Sequence, residues 1–349
     1  MKNSPRRVLF DCEKMRNTNT GLHTYCLHLG NTLIKETDPR QEQLTFYTPP
    51  NNPAPFGNGP SYRILRKWHK FFNPSGNIDV WHSNYHESNY LPQSRKTKLL
   101  ITIHDLNFLI DDVENKDKHL KKVQERVDRA DFIACTSRYT QKCIVENLRL
   151  GTAKMDVVYD GCLQKEFPGF DQPVYRPSKP FIFTIGIFFR KKNFHVLPAL
   201  LKNNDYELVI AGMRIPDYEA MIMEQARLHQ VADRVKLIGP VTEEEKYWYY
   251  KNCTAFTFPS LAEGFGLPVV EAMYFGKPLF LSSHTCLPEI GGDLAFYFDR
   301  NFDPEDMRAV FESGMNRYNQ DLGNRLRQRA HDFSWEKCAT SYLKIYRDL

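Results

Sequence analysis

Residues 255–275 set three kinds of sequence side by side, and few folds accommodate them. The run AFTF at 255–258 is apolar and aromatic, the pattern of a strand buried on both faces. The run VVEAMYF at 269–275 reads as a helix, with Pro268 suited to its first turn. Between them lies a bend holding Glu263, Gly264, Phe265, Gly266 and Leu267. Strand, glycine-bearing loop and helix make one unit of an α/β sheet. In such sheets ligands gather at the loops leaving the carboxyl ends of strands.

The residue types in the bend narrow the ligand. Glycines let backbone N–H groups come close, and a helix N-terminus adds partial positive charge, which suits a phosphate or diphosphate. Glu263 at the loop mouth and Glu271 on the helix repel phosphate but accept hydrogen bonds from hydroxyls. A nucleotide sugar, with a diphosphate and many hydroxyls, satisfies both demands. A lone G-x-G also fits a plain turn, with glycines for geometry and glutamates for solubility. The whole string says more, because seven residues, with Gly-Phe-Gly-Leu-Pro among them, separate Glu263 from Glu271. It resembles the E-x7-E signature of retaining glycosyltransferases of the GT-B fold, family 4.

That resemblance implies an α/β chain of two Rossmann-like domains with a cleft between them. The expected division is an acceptor-binding domain over 1–165, a linker over 166–180 and a nucleotide-sugar-binding domain over 181–333. A final helix over 334–349 is expected to return to the first domain. Its opening Phe333-Ser334-Trp335 resembles the family's F-S-W segment, and the linker is rich in proline (Pro168, Pro173, Pro177, Pro180).

Further motifs fall at strand ends. Residues 181–186 read as a buried strand, and the loop after it carries Arg190, Lys191, Lys192 and Asn193 before a helix expected from Phe194. Cations between a strand and a helix N-terminus make an anion site. The resemblance assigns Lys191 and Lys192 to the diphosphate, with lysine where arginine is common in the family, and Arg190 as a supplementary guanidinium. Gly239-Pro240-Val241 matches the place where family members hold the nucleobase through backbone contacts, so Gly239 and Val241 are donor-site candidates. Residues 99–103 form a fully apolar run ending in His104-Asp105, which resembles the family's "HD". By that likeness His104 hydrogen-bonds the donor sugar and Asp105 orients its ring. Gly21 begins a helix whose apolar positions Leu22, Cys26, Leu29 and Leu33 have helical spacing. Gly21 is either a diphosphate contact or part of a simple helix start. Ser137 and Arg138, at another helix start, are weaker candidates, and Arg214 is expected in the cleft. Residues 288–292 resemble the family's P-E-x-x-G turn.

Composition bounds the rest. A chain of 349 residues suggests two domains, and 42% hydrophobic with 26% charged residues describes a globular protein. A net charge of +5 fits anionic ligands or a membrane surface better than a dedicated nucleic-acid binder. Eight cysteines without a C-x-x-C suggest reduced, cytosolic thiols. The N-terminal stretch lacks a secretory pattern, and no run approaches the roughly 20 apolar residues that span a bilayer. His82 and His86 stand four apart, but without a third ligand they are assigned to a polar loop rather than a metal site. No Asp-x-Asp occurs, so a metal-free mechanism is expected.

The run YRILRKWHKFF at 62–72 interleaves basic and aromatic residues. It reads as an amphipathic helix, either touching anionic lipid or, as favoured, packing its aromatics inward.

The function implied is a cytoplasmic transferase, possible at the inner face of the membrane, acting in surface polysaccharide or lipopolysaccharide synthesis. The donor is GDP-mannose or a UDP-sugar, with no other cofactor, and the acceptor is a glycan or lipid-linked glycan. An epimerase of the same fold and a non-catalytic binding protein are the rival readings.

Overall fold

The computed structural model describes residues 4–18, 20–72, 76–110, 115–163 and 165–349. Asn19, in the loop expected before the first helix, lies outside the described residues. The chain divides into two units, Met1–Leu163 with Phe333–Leu349, and Gln164–Asp332.

In the first unit the apolar runs become parallel strands. They are β1 (Arg6–Asp11), β2 (Glu42–Thr48), β3 (Ser61–Ile64), β4 (Val80–Ser83), β5 (Lys98–Ile103), β6 (Phe132–Cys135) and β7 (Lys154–Val157). They form one sheet in the order β3-β2-β1-β4-β5-β6-β7. Val8, Leu9 and Phe10 are fully buried, as expected of a strand covered on both faces. Strand order reverses direction between β1 and β4. Helices α1 (Gly21–Glu36), α2 (Lys116–Val127) and α3 (Arg138–Asn147) connect the strands.

The terminal helix Trp335–Asp348 completes this unit. Tyr342 receives a hydrogen bond from Tyr25 on α1 (2.9 Å) and shares one with Thr102 on β5 (2.9 Å). Thr102 in turn bonds His82 Nε2 (2.8 Å), and His82 Nδ1 bonds Tyr346 (2.7 Å). Buried polar groups without partners are costly, so this relay ties helix to sheet through groups that satisfy one another. His82 is therefore a fully buried strand residue rather than part of a polar loop. His86 is also buried.

The run at 62–72 is not one helix. It splits into β3 and a single 3-10 turn, Lys67–Lys70, because Tyr62 and Arg63 continue the parallel pairing with β2. Tyr62 packs against the core, but Trp68, Phe71 and Phe72 do not: they are 50%, 83% and 62% exposed.

The second unit holds β8 (Phe181–Ile185), β9 (Glu207–Ala211), β10 (Val235–Gly239), β11 (Ala255–Phe258), β12 (Leu279–Ser282) and β13 (Phe296–Phe298). All pair in parallel, in the order β10-β9-β8-β11-β12-β13. Its helices are α4 (Pro216–Leu228), α5 (Glu243–Asn252), α6 (Leu267–Tyr274), α7 (Leu287–Gly291), α8 (Pro304–Arg317) and α9 (Gln320–Ala330).

Two local expectations change here. The segment expected to start an α-helix at Phe194 is a 3-10 helix, Phe194–Leu201, with Pro198 inside it, and proline cannot donate the α-helical hydrogen bond. The P-E-x-x-G turn is the short helix α7. The proline-rich stretch read as a linker is bound to this unit. The Tyr175 N–H donates to the Tyr249 hydroxyl (3.1 Å), the Ser178 N–H to Glu207 (2.9 Å), and Trp248 Nε1 to Asp171 (3.0 Å).

Candidate active site

In the second unit the chain visits β8, β9 and β10 in one direction, then crosses back to β11, β12 and β13. The loops after β8 and β11 therefore diverge at a topological switch point, the place where open α/β sheets bind ligands. Sequence-derived candidates fall on both loops.

Lys192 and Glu263 meet there. Lys192 Nζ lies 2.5 Å from Glu263 Oε1, with both side chains mostly buried (16% and 14% exposed). The ammonium also sits 5.0 Å from the centre of the Phe258 ring. The two loops are stitched by backbone, since the Leu261 N–H donates to the Lys191 carbonyl (2.8 Å), as does the Ser260 hydroxyl (3.1 Å). Lys191 thus joins the loops through its carbonyl. Arg190 is exposed and its guanidinium contacts the Met221 sulfur on α4 (3.6 Å), so the structure does not bring it to Glu263.

The bend at 263–267 is held from below. The Glu263 N–H donates to the Thr285 hydroxyl (3.2 Å), and the Cys286 thiol donates to the carbonyls of Glu263 and Phe265 (3.3 Å each). Gly266 is the residue that turns the chain into α6, with φ of 96°, a left-handed conformation that side chains resist. Leu267 opens the helix; Pro268 has no N–H, and the Val269 N–H donates to the Gly266 carbonyl (2.9 Å). Gly264 and Phe265 are buried within the bend.

Glu271 faces a second cation. Its Oε1 accepts from Lys246 Nζ (2.7 Å) and its Oε2 from the Tyr250 hydroxyl (2.8 Å). Burial alone would lower the Lys246 ammonium, but Glu271 and Glu243 outweigh it and raise the group above its ordinary value. Sequence reasoning missed Lys246, Tyr250, Thr285 and Cys286. The signal for the first two was present: Lys246 and Tyr250 stand four apart on α5, hence on one face. That helix starts at Thr242, whose hydroxyl accepts from the Glu245 N–H (3.2 Å) while Glu245 accepts from the Thr242 N–H (2.8 Å).

Gly239 ends β10 and half-buried Val241 leads into α5, the helix carrying Lys246. Gly186 and Gly212 directly follow β8 and β9, and Gly239 ends β10. The Gly186 N–H donates to the Ala211 carbonyl (3.0 Å) and the Gly212 N–H to the Gly239 carbonyl (2.7 Å). A Cβ on Gly212 would stand 2.0 Å from the Gly186 carbonyl oxygen, so only glycine allows these strand ends to lie together. Arg214 just beyond pairs with Glu219 on α4.

The remaining candidates belong to the first unit. His104 follows β5, half-buried, and its Nε2 donates to the Asn84 carbonyl (3.1 Å). That bond leaves Nδ1 as the acceptor in the neutral ring. Its ring packs edge-on against Tyr25 at 4.6 Å. Burial pushes the imidazole down to about 4, with Asp105 opposing the shift. Asp105 does not orient that ring; its carboxylate accepts from the Asn107 N–H (2.9 Å), and Asn84 does the orienting. The His104 carbonyl accepts from the hydroxyls of Thr136 (2.8 Å) and Thr140 (3.2 Å). Ser137 is buried and caps α3, accepting from the Thr140 N–H (3.1 Å), while Arg138 is exposed. Gly21 opens α1 after Thr20, whose hydroxyl accepts from the His23 N–H (3.2 Å). A Cβ on Gly21 would meet nothing within 4 Å, so the backbone there does not itself demand glycine.

Residues 170–332 match the family of glycosyl transferases group 1. The second unit is thus similar to group 1 glycosyl transferases over almost its whole length. The match covers the β8 and β11 loops and both glutamates. The O-antigen chain mannosyltransferase B of Escherichia coli is 25% identical over 292 residues, covering 75% of this chain and 74% of that protein. The serotype-specific mannosyltransferase WbdA of Escherichia coli is 33% identical over 180 residues, 47% of this chain and 21% of that protein. Among solved structures, sucrose-phosphate synthase from Thermosynechococcus elongatus superposes with a TM-score of 0.80 at 19% identity, covering 98% of each chain. HepE of Anabaena, in complex with UDP and glucose, superposes with a TM-score of 0.72 at 13% identity, over 98% of this chain and 99% of that one. At such identities the likeness speaks for the fold, and the glycosyltransferase fold is GT-B.

Proposed function

We propose that this chain is a retaining hexosyltransferase of family 4 that moves mannose from GDP-mannose to a glycan or lipid-linked acceptor in surface polysaccharide synthesis. The observation that carries the reading is the Lys192–Glu263 pair at the switch point, beside the Gly266 bend and the N-terminus of α6. A mannosyltransferase relative aligned over 75% of the chain supports the choice of sugar.

In this reading the donor's diphosphate lies between Lys192 and the α6 N-terminus. Negative charge grows on that group as the glycosidic bond breaks. A nearly buried ammonium and the partial positive charge of the α6 N-terminus stabilise it most where water is scarce. Glu263 and the diphosphate compete for one ammonium, so Glu263 is freed to accept from sugar hydroxyls as Lys192 turns to phosphate. Glu271, fixed by Lys246 and Tyr250, accepts from the ribose. Gly239 and Val241 offer backbone to the base. Gly264, Phe265 and Leu267 line the diphosphate, Lys191 holds the two loops together, and Arg190 gives longer-range positive charge. His104, neutral with Nδ1 accepting, takes a hydrogen bond from a sugar hydroxyl. Retention follows if the acceptor attacks from the face the diphosphate leaves, with the departing phosphate taking the proton. No residue in this set requires a metal ion.

Incubation with radiolabelled GDP-mannose, UDP-glucose, UDP-galactose and UDP-N-acetylglucosamine tests the reading, scored as slow hydrolysis without acceptor. GDP-mannose is expected to be hydrolysed fastest, with release of α-mannose. Preference for a UDP-sugar overturns the donor assignment, and binding without turnover of any donor overturns the enzyme assignment.

A further inference from the structure

We propose that the turn following β3 is a docking surface for anionic phospholipid bilayers. The segment 61–72 reads SYRILRKWHKFF and contains no acidic residue. Leu65 and His69 are buried and anchor it. The Tyr47 hydroxyl donates to His69 Nδ1 (2.6 Å), which also receives the Arg66 N–H (3.3 Å). Gln93 donates to the Phe71 carbonyl from the neighbouring loop. With the turn held from beneath, Trp68, Phe71 and Phe72 face outward, and the Trp68 and Phe72 rings stack at 6.4 Å.

Single exposed apolar residues are ordinary on protein surfaces, but three large aromatics within five residues are not. Arg66, Lys67 and Lys70 are exposed around them and form no ion pair among the described residues, the Lys70 ammonium lying 5.6 Å from the centre of the Tyr90 ring. Charge decides the occupant. Unpaired cations ringing exposed aromatics complement a surface of anionic headgroups over an apolar layer, where aromatic rings enter the interface and the cations stay with the phosphates. No helix among the described residues is long and apolar enough to cross a membrane, so the contact is peripheral.

Position in the sheet gives the surface a use. β3 and β5 run parallel in one sheet, so the chain leaves both at the same edge. The aromatic turn and His104 therefore share that edge, four strand spacings or about 19 Å apart. A lipid-linked acceptor would be presented there; this consequence, unlike the docking itself, rests on the proposed transferase reading.

Co-sedimentation of the full chain with vesicles of phosphatidylglycerol and phosphatidylcholine tests the proposal, against vesicles of phosphatidylcholine alone. Binding is expected to the anionic vesicles and to weaken as salt rises. The triple change Arg66→Glu, Lys67→Glu, Lys70→Glu should cut partitioning on the order of a hundredfold and abolish its salt dependence. The triple change Trp68→Ser, Phe71→Ser, Phe72→Ser should weaken binding while leaving the salt dependence in place. Should either triple variant misfold by circular dichroism, Lys67→Glu and Phe71→Ser singly carry the same test, since both side chains project into solvent. Wild-type protein that stays in the supernatant with anionic vesicles overturns the proposal, as do variants that sediment like wild type. Concentration-dependent dimerisation lost in the aromatic variant, without vesicle binding, overturns it in favour of a second copy. Donor hydrolysis is measured in parallel, so failure of the transferase reading leaves the vesicle result interpretable.

Discussion

The ammonium of Lys192 and the carboxylate of Glu263 touch at 2.5 Å across the point where the second sheet reverses its strand order. Each is mostly withdrawn from water, so neither is neutral to the loss of the other. Lys192→Ala is expected to lower kcat/KM for donor hydrolysis on the order of a hundredfold or more, because it removes charge stabilisation where negative charge develops. It should also destabilise the fold by ~3 kcal/mol by stranding Glu263. The double variant Lys192→Met with Glu263→Gln should regain stability in urea melts while activity stays low. Near-normal turnover in Lys192→Ala would refute the assignment.

Glu271 has two partners in place, Lys246 and Tyr250. Lys246→Met leaves a carboxylate that is 8% exposed with only a hydroxyl to satisfy it, a change expected to cost about 3 kcal/mol in chemical denaturation. Glu271→Gln keeps the shape and loses the charge. It should raise KM for the donor with little change in kcat, as expected of a group that binds ribose equally in ground and transition states. A fall in kcat at unchanged KM would reassign Glu271 to the reacting end.

Gly266→Ala tests the bend. Its φ of 96° is strained for alanine, at roughly 1–2 kcal/mol, and the new Cβ would stand 3.0 Å from Leu287 Cδ2. The expected outcome is a lower melting temperature with donor affinity reduced tenfold or more, read by calorimetry. Unchanged affinity would show that the bend does not shape the diphosphate site.

His104 sets a pH dependence. Burial holds it at about 4 in the folded chain against an ordinary value of 6.5, so the unfolded chain binds the extra proton first. Stability from this group is fully present above about 6.5 and is lost as pH falls towards about 4. Urea midpoints measured across that window should fall less steeply in His104→Gln than in wild type. Equal slopes would mean that the ring is not held neutral.

Continuous apolar runs followed by polar or glycine-bearing loops made β5, β8 and β11 legible, whereas β3 was read as helix and the three-residue β13 was not read at all. Lys192, Glu263 and Glu271 were readable because they lie in short strings with local geometry. The partners of these residues were harder to see. Lys246 reaches Glu271 across 25 positions of sequence, and Cys286 and Thr285 reach the bend from beyond β12, distances over which periodicity carries no information. The segment 62–72 was misread because basic and aromatic residues at helical spacing also suit a strand followed by a turn, and pairing with β2 decided between them. His82 was misread because its two hydroxyl partners, Thr102 on β5 and Tyr346 on the terminal helix, lie 20 and 264 positions away in sequence.

The closing helix bears on how such chains can be recombined. Its tyrosines Tyr342 and Tyr346 complete the hydroxyl–imidazole relay through Tyr25, Thr102 and His82, and Arg347 pairs with buried Glu42 on β2. The polypeptide thus crosses from one unit to the other twice, and the first unit is sewn from two stretches far apart in sequence. A chimera that exchanges only the leading half inherits a foreign tail in its core. A graft that keeps the native partners has to move two separate pieces of coding sequence together.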